Sequence, residues 1–233
     1  MNPKVRYELQ PTANQNFHVV ARGGRGEFAS ELERSYDLQG EGHFREACEV
    51  RYAALCRLVD FLPDHETALD WNHEESRAAI ETVQASAVDH FLAGDLEMAT
   101  ASLELLMELD PEDHTGSEPL LCFCYVAIGE YALYDSLSVD LADTAAGALL
   151  SAWSSYRRTG AVSAEAVNLL RSRYGAVVAE FCGTEHGVDE SFLAAAAAEH
   201  PTPEVQARQL WLQTECLWST HGDFIEALRK EFS

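Results

Sequence analysis

Positive charge is scarce in this chain. Sixteen Lys and Arg face thirty-nine Asp and Glu, a formal net charge of −23. Contacts to phosphate need clustered Lys and Arg, so the composition argues against nucleic acid and anionic membranes as partners. Long apolar runs are also missing. No stretch approaches the roughly 18 residues of a membrane-crossing helix, and the opening "MNPKVRYELQPTANQN" has no apolar signal core. The expected location is therefore cytoplasmic. Paired cysteine motifs are absent as well. Cys48, Cys56, Cys122, Cys124, Cys182 and Cys216 are scattered through apolar helical contexts with no C-x-x-C, which predicts buried thiols rather than disulfides.

Catalytic signatures are equally lacking. G-x-S-x-G, G-x-x-x-x-G-K-[ST], G-x-G-x-x-G and H-E-x-x-H do not occur. No catalytic residue, cofactor or metal site is assigned from the sequence. Three acidic clusters were weighed against that background. "DPEDHTG" offers Asp110, Glu112, Asp113 and His114, without the spacing of a calcium loop or the second His or Cys that zinc needs. It reads better as a hinge, with Asp110 and Pro111 ending one helix and Thr115 or Ser117 capping the next in a Thr115–Glu118 capping box. Asp113 and Glu118 then sit where the helix dipole favours anions. "DWNHEES" carries Asp70, His73 and Glu74; Asp70 or Asn72 can cap the following helix, with Trp71 as a hydrophobic staple. "GTEHGVDE" reads as a loop with Asp189 as an N-cap.

Strand patterns are nearly absent. "NFHVVA" (16–21) is the best and it is weak. Residues 1–26 therefore read as an irregular arm, with Lys4, Arg6, Arg22 and Arg25 against Glu8 alone, a net of +3 beside a remaining chain at −26. Such an arm is either a frayed tail or a strap lying on the acidic body. What is abundant is Ala, Leu and Glu at helical spacing. Apolar residues recur every three or four positions, as in Phe44, Ala47, Val50, Ala54, Leu58 and Leu62. Successive helices are separated by short connections, so neighbours in sequence are expected to be antiparallel. Residues 27–233 read as one all-α domain.

One element recurs in these hairpins: a Gly ending a helix, an apolar residue two positions on, and a small residue three further. It occurs at Gly42/Phe44/Ala47 and Gly94/Leu96/Ala99. Weaker copies follow at Gly129/Tyr131, with Tyr134 in the small position, and at Gly160/Val162, with Glu165. The glycines are 52, 35 and 31 residues apart. A left-handed Gly closes the first helix and the small residue lets the second approach.

The unit Ile80–Asp113 resembles a tetratricopeptide (TPR) motif: Ala87, Gly94, Leu96, Ala99 and Pro111 fall on its signature positions, while His90, Leu103 and Leu106 depart from it. "LDPEDHTG" followed by "GEY" is similar to a form found in bacterial TPR-like proteins. The resemblance covers about residues 28–175, leaving 176–233 as a helical cap that includes Trp211 and Trp218. It implies an α-solenoid of antiparallel helix pairs, and a concave face that binds a protein or peptide. On that alignment the groove positions are Glu81, Gln84, Val88 and Phe91, then Pro119, Phe123, Val126 and Ala127, then Ser154, Arg157 and Arg158. The Lys and Asn pattern that grips a chaperone C-terminus in some TPR proteins is absent. The expected function is a non-enzymatic interaction module for a basic or apolar peptide. Two alternatives stand beside it. One is an enzyme or ligand-binding protein with a polar site in the groove or the 64–79 insertion. The other is a homo-oligomeric structural protein.

Overall fold

A computed structural model of the chain describes residues 6–22, 27–63 and 67–233. Lys4 and Arg25 of the basic arm lie outside the described residues, so its placement as a strap is described only in part. Among the described residues there are twelve helices and one two-stranded sheet. The protein is therefore mostly helical, and no described helix is long and apolar enough to cross a membrane. The chain divides into two compact units, Met1–Leu121 and Cys122–Ser233.

The first unit opens with a feature the sequence reading missed. Where an irregular arm was expected, β1 (Arg6–Pro11) and β2 (Phe17–Arg22) pair antiparallel, with Glu8 opposite Val20 and Pro11 opposite Phe17. The alternation was hard to see because Val19 is the one fully buried residue of β2. Arg22 pairs with Glu8 inside the hairpin at 2.9 Å. The hairpin docks through apolar, backbone and polar side-chain contacts: the Tyr7 ring packs on Phe28 and Phe61, Val19 N–H donates to Ser76 Oγ at 2.9 Å, and His18 Nε2 lies 2.9 Å from Asp70 Oδ2.

Four helices follow: α1 (Phe28–Gly40), α2 (Phe44–Phe61), α3 (Glu74–Leu92) and α4 (Leu96–Leu109). They end close to where the glycines and prolines predicted. Helix α3 packs against α1, α2 and α4 alike. The expected hairpin glycines are all left-handed, with φ of 84° at Gly42, 79° at Gly94, 87° at Gly129 and 78° at Gly160. At the first three, the next N–H reaches back five residues: His43 to Leu38 O at 2.8 Å, Asp95 to His90 O at 2.9 Å and Glu130 to Tyr125 O at 2.9 Å. This is the helix-closing bond that a left-handed residue permits. Gly160 makes only the shorter-range bond to Tyr156 O, at 2.7 Å. The small positions are buried: Ala47, Ala87 and Ala99 admit the neighbouring helix. Phe44 departs from the pattern. It lies on the surface, 64% exposed, instead of packing the hairpin.

The division between the units falls within α5 (Glu118–Ile128). The second unit continues with α6 (Tyr131–Leu137), α7 (Ala145–Thr159), α8 (Ala164–Arg173), α9 (Gly175–Cys182), α10 (Glu190–Ala196), α11 (Pro203–Thr220) and α12 (Gly222–Phe232). Residues 138–144 form turns, and α8 ends at Tyr174, whose φ of −125° and ψ of 43° separate it from α9. The core of this unit is aromatic: Trp153, Phe181, Trp218 and Phe224 are buried together, with Trp153 and Trp218 edge to face at 5.0 Å. None of the six cysteines is in a disulfide. Cys122 and Cys124 are buried as expected, but Cys56 is exposed.

Candidate functional site

The residues assigned to a concave groove separate into two groups. Gln84 and Val88 of α3 line a groove of about 500 Å3 between α1, α2 and α3. Gln84 is also tethered, donating to Thr115 O at 3.0 Å. Glu81 lies one turn earlier, in a neighbouring recess of about 300 Å3 that meets the groove at Tyr36. Phe91, Phe123 and Val126 are not groove residues. Each is buried in the core, leaving no side-chain surface for a partner. Apolar periodicity does not distinguish a buried face from a binding face. Arg157 and Arg158 are used inside their own unit. Arg157 donates to Ala127 O at 3.0 Å, and Arg158 pairs with Asp135 at 2.6 Å and donates to Ser154 Oγ at 3.1 Å.

The groove floor holds a buried cation. Arg51 is 6% exposed and donates to Asp89 at 3.0 Å, to Ser35 Oγ at 3.0 Å and to Gln39 Oε1 at 2.5 Å. Its charge is matched and its donors are used, the condition under which a buried ion is tolerated. Around it the surface is apolar: Phe44 and Leu92 are 64% and 57% exposed. The recess beyond Tyr36 is acidic, lined by Glu33, Asp37, Glu74 and Glu81 against Arg77.

A second site joins the two acidic clusters that the sequence presented separately. Leu69 N–H donates to Leu109 O at 2.8 Å, and Phe17 N–H to Ala68 O at 2.9 Å, so the "DWN" loop is stitched between the β-hairpin and the end of α4. Asp70 is not a helix cap. Its Oδ1 accepts from Asn72 N–H at 3.0 Å, and its Oδ2 lies 2.9 Å from His18 Nε2. That bond to His18 is the main reason the Asp70 carboxyl titrates below its ordinary value. The cap of α3 is His73, whose Nδ1 accepts from Ser76 N–H at 3.4 Å. Burial, followed by the neighbouring His18, disfavours protonation of His73 and suits it to accept. Trp71 is not a staple either. Its ring lies flat on His114.

Across the same cavity Asp110 ends α4 as expected, its N–H bonding Leu106 O, but its side chain is not solvated. Its side chain is 2% exposed, and Oδ1 lies 2.6 Å from His114 Nδ1. His114, read from the sequence as a lone histidine, has a second carboxylate nearby, with Glu112 Oε2 at 3.4 Å from Nε2. The Asp110 hydrogen bond raises the His114 pKa. Ser117 holds the cap position of α5, its carbonyl accepting from Leu121 N–H at 3.1 Å, and the side-chain acceptor there is Asp113. Asp113, at a positive φ of 47°, accepts from Ser117 N–H at 2.7 Å and Glu118 N–H at 3.1 Å. The resulting cavity, about 410 Å3, is lined by Asn14 and Asn16 of the hairpin turn, by Asp70, Trp71 and Asn72, and by Asp110, Glu112 and His114. No local signal links residues 16, 70 and 110; only the tertiary fold does.

In the second unit Asp189 caps α10 as expected, accepting from Phe192 N–H at 2.8 Å. His186 lies 2.7 Å from Glu180 Oε1 and stacks on Trp211 at 3.8 Å, and Arg208 bonds the same carboxylate. Trp211 and Trp218 are both buried. Among the described residues, no three His, Cys, Asp or Glu side chains gather as a metal-binding group. No protein-family model, curated protein or solved structure matches the chain.

Proposed function

We propose that the chain is a TPR-like interaction module of the cytoplasm, without catalytic activity of its own, whose α1–α3 groove takes a peptide segment of another protein. Helix pairs α1/α2 and α3/α4 serve as successive repeats of a solenoid. The reading is supported by the left-handed glycine that closes each pair and by the packing of α3 against both helices of the preceding pair. The observation that carries it is the surface on either side of Tyr36. Phe44, Val88 and Leu92 form an apolar end, and Glu33, Asp37, Glu74 and Glu81 an acidic end. A segment with apolar anchors and basic residues along its flank fits both.

The test is selection from a random peptide library at low ionic strength, followed by fluorescence anisotropy with the retained sequences. Enrichment for apolar residues beside Lys or Arg is expected, with affinity falling as salt rises. Phe44→Asp and Leu92→Asp are expected to weaken binding at least tenfold while leaving the thermal midpoint unchanged, because both side chains are already in water. A library that retains nothing specific, or binding indifferent to both substitutions, overturns the reading.

A further inference from the structure

Two imidazoles are stacked where the β-hairpin meets α3. His18 of β2 and His73 at the start of α3 have ring centroids 4.2 Å apart and planes 12° from parallel. His73 Nδ1 accepts the Ser76 N–H at 3.4 Å, so that nitrogen carries a lone pair and the ring is neutral. Ser76 is fully buried and acts as the joint. Its Oγ accepts the Val19 N–H at 2.9 Å, and its single proton is shared between His73 Nδ1 at 3.2 Å and Phe17 O at 3.4 Å. One hydroxyl thus ties the His73 ring to the backbone of β2. On the other ring, His18 Nε2 faces Asp70 Oδ2 at 2.9 Å, so a charged His18 has a counter-ion.

A charged His73 is worse placed. Its proton would point at the Ser76 N–H, setting donor against donor, and the cation would lie on His18. The carboxylates around it are already engaged or solvated. Asp70 serves His18, Glu75 accepts the Phe28 N–H at 2.9 Å, and Glu74 is exposed beside Arg77 in the acidic recess. In the hairpin Glu8 is paired with Arg22, and beyond α4 Asp110 is paired with His114. Burial, followed by the charge of His18, holds the His73 pKa below its ordinary 6.5. The closed junction therefore takes up this proton less readily than an opened one with His73 in water. Its hold is complete above 6.5 and weakens as pH falls from 6.5 towards the lowered value.

We propose that the His18–His73 stack is an acid-sensitive latch, in which a proton on His73 breaks the Val19–Ser76 bond and frees the hairpin from α3. Opening strips Tyr7 from Phe28 and Phe61 and so bares an apolar patch on α1 and α2. His18, His73 and Ser76 line neither the groove nor the acidic recess, so the latch stands or falls apart from peptide binding.

Amide exchange followed by NMR on the full chain tests it. The Val19 N–H reports the joint, and Val83 and Leu103, in the middle of α3 and α4, serve as reference. Between about pH 7.5 and about pH 5, corrected for intrinsic exchange, Val19 is expected to lose at least about threefold in protection while the reference amides keep theirs. His73→Asn keeps a cap acceptor without a titrating ring, and His18→Gln keeps a donor for Asp70. Each is expected to stay docked near neutrality and to abolish the acid response. Should both undock at neutral pH, the native chain decides: the His73 ring must titrate below 6.5 as Val19 protection falls. Val19 protection indifferent to pH, an acid loss that persists in full in either docked variant, or a His73 ring titrating at or above 6.5 overturns the proposal. So does a loss on raising the pH, the sense in which the His114–Asp110 pair responds.

Discussion

Trp71 and His114 lie ring on ring, their centroids 4.8 Å apart and their planes 6° from parallel. Forty-odd residues separate them in the chain, yet this contact closes the polar cavity between the "DWN" and "DPEDH" loops. An indole stacked on an imidazole reports whether the imidazole is charged, since a protonated ring quenches its neighbour's fluorescence.

The fluorescence difference between the native chain and Trp71→Phe is therefore expected to titrate with a midpoint above 6.5, the ordinary histidine value, because the Asp110 bond favours protonated His114. Asp110→Asn should bring the midpoint back towards 6.5. The same bond fixes a sign for stability. His114 holds its proton more firmly folded than unfolded, so the pair's contribution is complete below 6.5 and fades as pH rises through the raised folded value. A midpoint at or below 6.5 in the native chain refutes the assignment.

Arg51 predicts a different kind of sensitivity. Replacing it with Ala strands Asp89, which is paired and mostly buried. The cost should be about 3–5 kcal/mol, the usual range for breaking a buried pair from one side. The double substitution Arg51→Met with Asp89→Leu should be markedly less damaging, since it leaves no charge behind. Urea unfolding of the two variants beside the native chain separates these outcomes; equal losses would mean the pair's packing matters more than its charge.

In the second unit, Gly147 and Gly175 should respond oppositely to alanine. A Cβ on Gly147 would lie 1.9 Å from Leu141 O, whereas one on Gly175 would meet nothing within 4 Å. Gly147→Ala is expected to cost about 2 kcal/mol or more through forced backbone movement. Gly175→Ala should be neutral or stabilise by about 0.5 kcal/mol, by restricting the unfolded chain. Thermal melts of the two variants check the contrast.

Gly94→Ala tests the repeat itself. At φ 79° an L-residue is strained although open space surrounds it, so a loss of about 1–2 kcal/mol is expected. Gly94→Asn should lose less, because Asn tolerates the left-handed region. Chemical denaturation of both variants gives the comparison.

These glycines also mark how far the sequence was legible. A left-handed closure is a local demand, met by one residue type at one position, so Gly42, Gly94, Gly129 and Gly160 announced it without reference to the rest of the chain. Helix ends were readable for the same reason. Capping was less so: several polar residues near each N-terminus qualified, and the choice of His73 over Asp70, or Asp113 over Thr115, depends on loop paths set by distant contacts. The groove was half visible. Glu81, Gln84 and Val88 share one face of α3 with the surface, but Phe91 has the same spacing and is buried. The cavity was not visible at all: Asp110 reads as a helix terminator, which it is, and only the tertiary fold brings Trp71 and the "DWN" loop to the His114 beside it.

The docking of the β-hairpin has a consequence for how the chain is made. The Val19 N–H reaches its acceptor on Ser76, 57 residues later in the sequence. During ribosomal synthesis the hairpin therefore emerges before this acceptor exists. At roughly 5–20 residues per second it waits about 3–11 s for that partner to be made. The paired α1 and α2, whose contacts are local, have time to form first. The hairpin is thus among the last segments to settle in its unit although it is made before the helices it docks on, and in that interval Val19 is exposed to whatever nascent-chain binders the cell supplies.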